Sequence, residues 1–337
     1  MESDSEKHPG LHRFSVLSEA VTQKSTNDII TPVLVLVGPT AVGKTALSIQ
    51  MARRFSCEIV SVDSMQVYRY MDIGTAKPSV LERKGVTHHL LDIIDPDEQY
   101  NSARFVQDTL AAIEKISSSG RIPLLTGGTG LYLKALTEGL FELEGIEDED
   151  VRDHLHKRFQ AEGREALYHE LRQIDPVSAG RIHINDTQRL IRALEIFHST
   201  GQTWSEHLNN QPAPVVNFVN LLQFGLTCDR EILYDRIEQR TLSMFKNGLV
   251  EEAEKLQKMG YSARLQSMQA IGYRHVNNYL AGDWDREETI HTLIRDTRRY
   301  AKRQMTWFSR NESIQWFERT DHNGVLQATD DWLCRMK

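Results

Sequence analysis

The sequence predicts an α/β fold: a parallel sheet flanked by helices, with a helical domain inserted into it. Three observations predict it. From Pro32 onward short apolar runs alternate with stretches of helical period. A Gly-x-x-x-x-Gly-Lys-Thr loop, Gly38 to Thr45, joins the first such run to the first helical stretch. Between about Gly145 and His207 the alternation gives way to charged sequence of helical period with no strand candidate beside it. Strand and helix in turn imply a sheet covered on both faces, with ligands at the carboxyl ends of its strands.

The elements follow in order. Residues 1–31 are polar, with five acids against three Lys/Arg, and lack both the apolar core of a signal peptide and the acid-poor, Arg-rich character of a transit peptide. A disordered extension is expected there. Residues 33–37, 59–62, 90–94, 124–126 and 221–226 read as buried strands, and residues 45–55, 103–117 and 131–136 as helices between them. The helical insertion spans 145–207, which divides the core into 32–144 and 208–320. After the strand at 221–226, "REILYDRIEQRTLSMFKNGLVEEAEKLQKMG" reads as one or two long helices, with Asn247-Gly248 a break. Residues 321–337 are expected to form a C-terminal tail.

Composition excludes several classes. The 337 residues, 40% of them hydrophobic, are enough for a full core. No run approaches the roughly 18 apolar residues of a membrane span. Cys57, Cys228 and Cys334 lie far apart and form no metal spacing, which fits a reducing compartment. His88-His89 is no better as a metal pair, since neighbouring strand residues point to opposite faces. The formal net charge is −7, but Arg295, Arg298, Arg299, Lys302, Arg303 and Arg310 oppose only Asp296 between 294 and 310. On a helix Arg295, Arg298, Arg299 and Lys302 share one face, and Ile294, Thr297, Ala301 and Phe308 another. That stretch reads either as a solvated basic face or as a track for a phosphate backbone.

The glycine loop supports a P-loop NTPase-like core. Its backbone N–H groups converge on oxyanions, the helix start adds positive potential, and Lys44 neutralises terminal phosphates. The Thr45 hydroxyl is placed to ligate a magnesium ion carried by those phosphates. All of this holds equally for ATP and for a prenyl diphosphate. An NTPase usually adds a second acid at the end of a neighbouring strand, yet the strand at 124–126 runs into "TGGTG" without a carboxylate. The acid that ends a core strand near the loop is Asp63, in "SVDSMQVYR". By residue chemistry alone it is either a metal ligand in a kinase-like enzyme or a general base for an incoming nucleophile.

Seven blocks then stand in order: "GPTAVGKT", "SVDSMQVYRYMDIGTAKP", "HHLLDI", "GGTGLYLKAL", "NDTQRLIRALEI", "QAIGYR" and "KRQMTW". Together they resemble the bacterial-type tRNA dimethylallyltransferases, also called tRNA isopentenyltransferases, from about Val33 to about Phe317. The resemblance implies that the P-loop holds the pyrophosphate of dimethylallyl diphosphate, and that the five-carbon group is transferred to N6 of the adenosine just 3′ of the anticodon. It implies diphosphate contacts along Gly38, Pro39, Thr40, Ala41, Val42, Gly43, Lys44 and Thr45, with Thr45 also near Mg2+. Asp63, Thr40 and Arg240 become the expected catalytic residues: Asp63 for the adenine amino group, Arg240 for the diphosphate from the far side, with Arg236 as the alternative. Expected tRNA contacts are Asp63, Ser64, Met65 and Gln66, Thr129, Arg152, the block Gln188, Arg189, Leu190, Ile191 and Arg192, the block Gln269, Ala270, Ile271, Gly272, Tyr273 and Arg274, and Lys302 with Arg303. The insertion would clasp the anticodon stem-loop, and a target base must leave its stack to reach the P-loop.

Two features depart from the family pattern. The block that usually reads His-Pro-Asn-Asp is "HIND" here, His183 to Asp186, and the N-terminal extension has no counterpart. A C-terminal zinc finger of the kind some eukaryotic relatives carry is absent, so a bacterial cytoplasmic enzyme is expected, acting as a monomer with no membrane partner. Three rivals share parts of the pattern. A P-loop nucleoside or small-molecule kinase lacks its second acid, an isopentenyltransferase of free adenine nucleotides has little use for a basic track, and a non-catalytic RNA-binding protein has no need of Asp63 beside an intact P-loop.

Overall fold

A computed structural model describes residues 27–139, 148–210 and 214–336. Its strands in chain order are β1 (Asn27–Ile29), β2 (Val33–Val37), β3 (Cys57–Val62), β4 (His88–His89), β5 (Ile122–Gly127), β6 (Val216–Phe218), β7 (Leu221–Thr227) and β8 (Ile314–Glu318). Six of them form one parallel sheet in the order β4-β3-β5-β2-β7-β8. The central strand β2 is apolar along its whole length because both its faces are covered: Val33, Val35 and Val37 enter one core and Leu34 and Leu36 the other. Each such side chain contributes ~1.5–3 kcal/mol on burial, so the register of the sheet is fixed from its middle outward. The strands around β2 end level, with Val37 beside Gly127 and Gly225, and Val62 beside Gly127. Their following loops therefore open on one crevice.

The helices are α1 (Lys44–Arg54), α2 (Val80–Arg83), α3 (Ser102–Ser118) and α4 (Gly130–Glu138), then α5 (Glu149–Glu162), α6 (Arg164–Ile174), α7 (Pro176–Arg181), α8 (Thr187–Thr200) and α9 (Trp204–Asn209). After the sheet resumes come α10 (Arg230–Lys246), α11 (Leu249–Lys258), α12 (Tyr273–Leu280), α13 (Arg286–Phe308) and α14 (His322–Cys334). The break expected at Asn247-Gly248 is present: Asn247 ends α10 and Gly248, at φ 98, starts α11. Helices α5 to α9 bury a core of their own around Leu155, Leu167, Leu171, Leu190 and Leu194. The "HIND" segment closes as a turn with Ile184 in it: Asp186 N donates to His183 O at 2.7 Å, and the Asp186 carboxylate accepts from Arg189 N to cap α8.

Three expectations change. Residues 90–94 are not a strand: Leu90 and Asp92 have φ of 60 and 56, and the chain curls there around the buried Lys77 ammonium, which pairs with Asp92 at 2.5 Å and Asp72 at 2.8 Å and donates to Tyr68 O. Residues 321–337 are not a loose tail, because α14 lays the fully buried Val325 into the core with Leu34 and Leu47. Within residues 1–31, Asn27–Ile29 forms a strand against Val216–Phe218, and residues 1–26 lie outside the described residues. Gly127 lies close against Val62 of β3. A Cβ on Gly127 would sit 2.0 Å from Val62 O, while one on Gly180, in α7, would meet nothing. In urea unfolding, Gly127→Ala should lose about 3 kcal/mol or more, and Gly180→Ala should gain about 0.5–1 kcal/mol.

Candidate active site

The loop Gly38–Thr45 leaves β2 and turns directly into α1. Gly38, at φ 147, passes so close to β7 that a Cβ would lie 2.7 Å from Leu226 O, and Gly43, at φ 117, turns the chain into α1. Ala41 holds φ 66 without glycine's freedom, a strain typical of loops built around a ligand. Lys44 Nζ folds back to donate to Gly38 O at 2.8 Å and Pro39 O at 2.9 Å. From the far side α10 supplies two guanidinium groups. Arg240 Nη1 donates to Thr40 Oγ1 at 3.0 Å, and Arg236 Nε donates to Ala41 O at 2.7 Å. Both arginines that the resemblance offered for this role therefore reach the loop.

Asp63 follows β3 directly. Its Oδ1 accepts from Met65 N at 2.9 Å and Gln66 N at 3.2 Å, which pins the carboxylate and leaves Oδ2 without a hydrogen bond among the described residues. Beside it, Thr129 Oγ1 accepts from Ser64 N at 3.2 Å. The glycines of "GGTG" have a steric cause. A Cβ on Gly128 would lie 2.1 Å from Gln304 Nε2, and one on Gly130 2.2 Å from Trp307. Helix α13 thus closes the crevice, and Leu293, Thr297, Tyr300 and Gln304 line it at a spacing that repeats on one helix face.

These parts surround a cavity of about 600 Å³ whose walls, among the described residues, carry one carboxylate, Asp63, against Lys44, Arg236 and Arg240. Met65, Met244, Ile271 and Leu293 give it an apolar side. Burial, with Arg240 adding and Asp63 opposing, lowers the Lys44 ammonium to about 7, and burial lowers Arg240 as well. Burial and the Asp63 charge push the Tyr300 phenol up to about 12, so it stays a donor at neutral pH. Thr45, an exposed residue on the first turn of α1, also lines the cavity, and its hydroxyl is a hard oxygen donor of the kind Mg2+ accepts. The site collects cations without matching anions, as a receptor for a polyanion should.

The pattern of the IPP transferase family matches residues 66–312. The tRNA dimethylallyltransferase of Desulfotalea psychrophila is 53% identical over 302 residues, covering 90% of this chain and 96% of that protein. The chain belongs to the tRNA dimethylallyltransferase family. A second member, from Acetivibrio thermocellus, is 44% identical over 86% of this chain and 92% of its own. Among solved structures, the full-length tRNA isopentenylpyrophosphate transferase of Bacillus halodurans superposes with a TM-score of 0.65 at 43% identity, covering 90% of this chain and 95% of that one. A eukaryotic dimethylallyltransferase solved acting on tRNA superposes with a TM-score of 0.70 at 32% identity, over 86% of this chain and 74% of its own.

Not every residue that the family resemblance offered for tRNA contact lies where a nucleic acid could touch it. Leu190 and Ile191 are buried in the core of the insertion, and Tyr273 is buried with its hydroxyl donating to Glu252 Oε1 at 2.6 Å. Their side chains pack the fold, which corrects that assignment. Gln188 and Arg189 are exposed, and Arg152 and Arg192 approach the buried Glu195 carboxylate at 2.9 and 3.0 Å. Ala270, Ile271 and Gly272 line the cavity, Gln269 is exposed, and Arg274 pairs with Asp296 at 2.7 Å. Lys302 and Arg303 are exposed. Lys302 joins Arg230, Arg295, Arg298 and Arg299 around a groove that also contains Ile294, so Ile294 stands on the basic side of α13 and not opposite it. Tyr234 forms the floor, with the Arg230 and Arg298 guanidinium carbons 5.0 and 5.1 Å from its ring centre. Tyr300 and Gln304 were not legible as site residues; the alternating steps of four, three and four from Leu293 through Thr297 and Tyr300 to Gln304 are the signal that could have found them.

The lowered Lys44 sets a pH dependence. Below about pH 7 the free site already carries the ammonium, and above it an arriving diphosphate must draw a proton onto Lys44. Calorimetry with magnesium pyrophosphate at about pH 8, in buffers of different ionisation enthalpy, should show proton uptake that Lys44→Met abolishes. Equal uptake by the variant would assign the proton elsewhere.

Proposed function

We propose that this protein transfers the dimethylallyl group from dimethylallyl diphosphate to N6 of the adenosine 3′-adjacent to the anticodon in tRNA, releasing diphosphate. The observation that carries the reading is the single cavity in which a P-loop, two arginines of α10 and an apolar wall face one carboxylate, in a chain of this family. The C–O bond of an allylic diphosphate breaks readily because the carbocation is delocalised. The work of the site is to stabilise the leaving diphosphate, through Lys44, Arg240 and the Thr40 hydroxyl. Met65, Met244, Ile271 and Leu293 suit the five-carbon chain. The adenine amino group is a weak nucleophile, so its placement counts for more than its basicity. Asp63, pinned through Oδ1, offers Oδ2 to hold the amino group in line and to take its proton as the N–C bond forms.

Mg2+, held by Thr45 and the diphosphate oxygens, would neutralise part of the leaving charge. On this reading the partner is one anticodon stem-loop per monomer. The groove of Arg230, Arg295, Arg298, Arg299 and Lys302 suits its phosphates, and the insertion, with Gln188, Arg189 and Arg192, flanks the stem. No helix of the described residues is long and apolar enough to cross a membrane.

The test is incubation of the protein with magnesium, dimethylallyl diphosphate and unmodified tRNA, followed by nucleoside mass spectrometry with ATP hydrolysis measured in parallel. The expected result is a gain of one C5H8 unit on adenosine without ATP turnover; the reverse would establish a kinase-like enzyme. Asp63→Ala should lower kcat by about 10²–10⁴ and leave tRNA affinity within a few-fold. Equal losses of both would make Asp63 a binding residue.

A further inference from the structure

One side chain touches both halves of the cavity. Gln304 projects from α13 and is buried; its Oε1 accepts from Thr40 N at 2.8 Å, and its Nε2 donates to Gly128 O at 2.9 Å. Thr40 belongs to the diphosphate cradle, where its hydroxyl accepts from Arg240. Gly128 precedes Thr129, whose hydroxyl accepts from Ser64 N, the residue after Asp63. A run of direct contacts therefore leads from Arg240 through Thr40, Gln304 and the 128–129 loop to the segment that holds the acceptor's carboxylate. Packing alone does not call for an amide at this position, since Ala301 and Phe308, both buried, already seat α13 on the sheet. The amide satisfies one donor and one acceptor on two loops that no strand ladder joins at that point, and the glycine at 128 admits it.

We infer that Gln304 is a positioning residue that sets the span between the diphosphate cradle and Asp63, and hence the in-line distance between the allylic carbon and the amino group. The inference rests on the prenyl-transfer reading above. Gln304 acts through Thr40 and Gly128 and exchanges no proton with either substrate. A shift of about 1 Å in such a span costs on the order of 10²-fold in rate. The loss should therefore appear in kcat more than in either KM.

The test uses two substitutions in the full chain, with steady-state prenyl transfer to tRNA as the readout. Gln304→Met keeps the length and loses both hydrogen bonds. Its kcat should fall about 10-fold or more, with both KM values within about threefold. Gln304→Glu distinguishes positioning from packing. As a carboxylate it still accepts from Thr40 N but sets an oxygen against Gly128 O, whereas the protonated acid restores the missing donor. The ratio of its kcat to that of the wild type should rise as pH falls from about 8.5 to about 6, while the ratio for Gln304→Met stays flat. This comparison is made within one folded protein, so it stands even where Gln304→Met fails to fold. Wild-type kcat in either variant, or a Gln304→Glu ratio that does not change with pH, overturns the inference. Wild-type protein that prenylates tRNA alongside unaffected variants removes only the role of Gln304, whereas wild-type protein that transfers no prenyl group removes the functional reading with it.

Discussion

Among the described residues, Asp63 is the sole carboxylate of the buried cavity that Lys44 and Arg240 share, and the rest of the site depends on that imbalance. Burying a cation costs free energy that a partner must offset. Here the partner is partial: loop carbonyls for Lys44 and the Thr40 hydroxyl for Arg240. Both side chains consequently hold their protons less tightly than they would in water, Lys44 to about 7. On the proposed function a diphosphate would supply the missing charge, and it would leave the reaction with more negative charge than it carried as an ester. The same electrostatics that favour binding thus favour bond cleavage still more.

The sheet makes this arrangement affordable in space. With β2 between β5 and β7, three loops emerge at one edge within reach of each other. The crevice lacks a roof until α13 crosses it. That helix has two working sides: Leu293, Thr297, Tyr300 and Gln304 line the cavity, while Arg295, Arg298, Arg299 and Lys302 line the basic groove. One rigid element therefore faces both the site of chemistry and the surface suited to RNA phosphates.

What the sequence disclosed, and what it hid, follows from the range of the interactions involved. The P-loop, the strand before it and the break at Asn247-Gly248 are local matters of backbone conformation and periodicity, and they stand where residue order placed them. The run at 90–94 has the composition of a strand, but its path is decided by Lys77, thirteen or more residues away, whose ammonium needs the Asp92 carboxylate. Strand β8 was missed because an edge strand such as "IQWFE" shows no continuous apolar run. Leu190 and Ile191 sit in a block shared with Gln188, Arg189 and Arg192, and only the helix's own packing separates its core face from its exposed one. Gln304 was invisible for a related reason: an amide in a basic helix reads as surface until its two backbone partners, from distant loops, are in place.

On the proposed function, one cavity holds a prenyl diphosphate on the P-loop and an extruded adenine at Asp63. The measurement that addresses it most directly is a structure of the protein with an anticodon stem-loop, magnesium and a non-reactive thio-diphosphate analogue of the prenyl donor. The diphosphate is expected on the Gly38–Thr45 loop against Lys44 and Arg240. The adenine amino nitrogen is expected within about 3 Å of Asp63 Oδ2 and about 3.5 Å of the allylic carbon. A diphosphate bound away from the loop, or an adenine that stays stacked in the RNA while the analogue occupies the cavity, would contradict it.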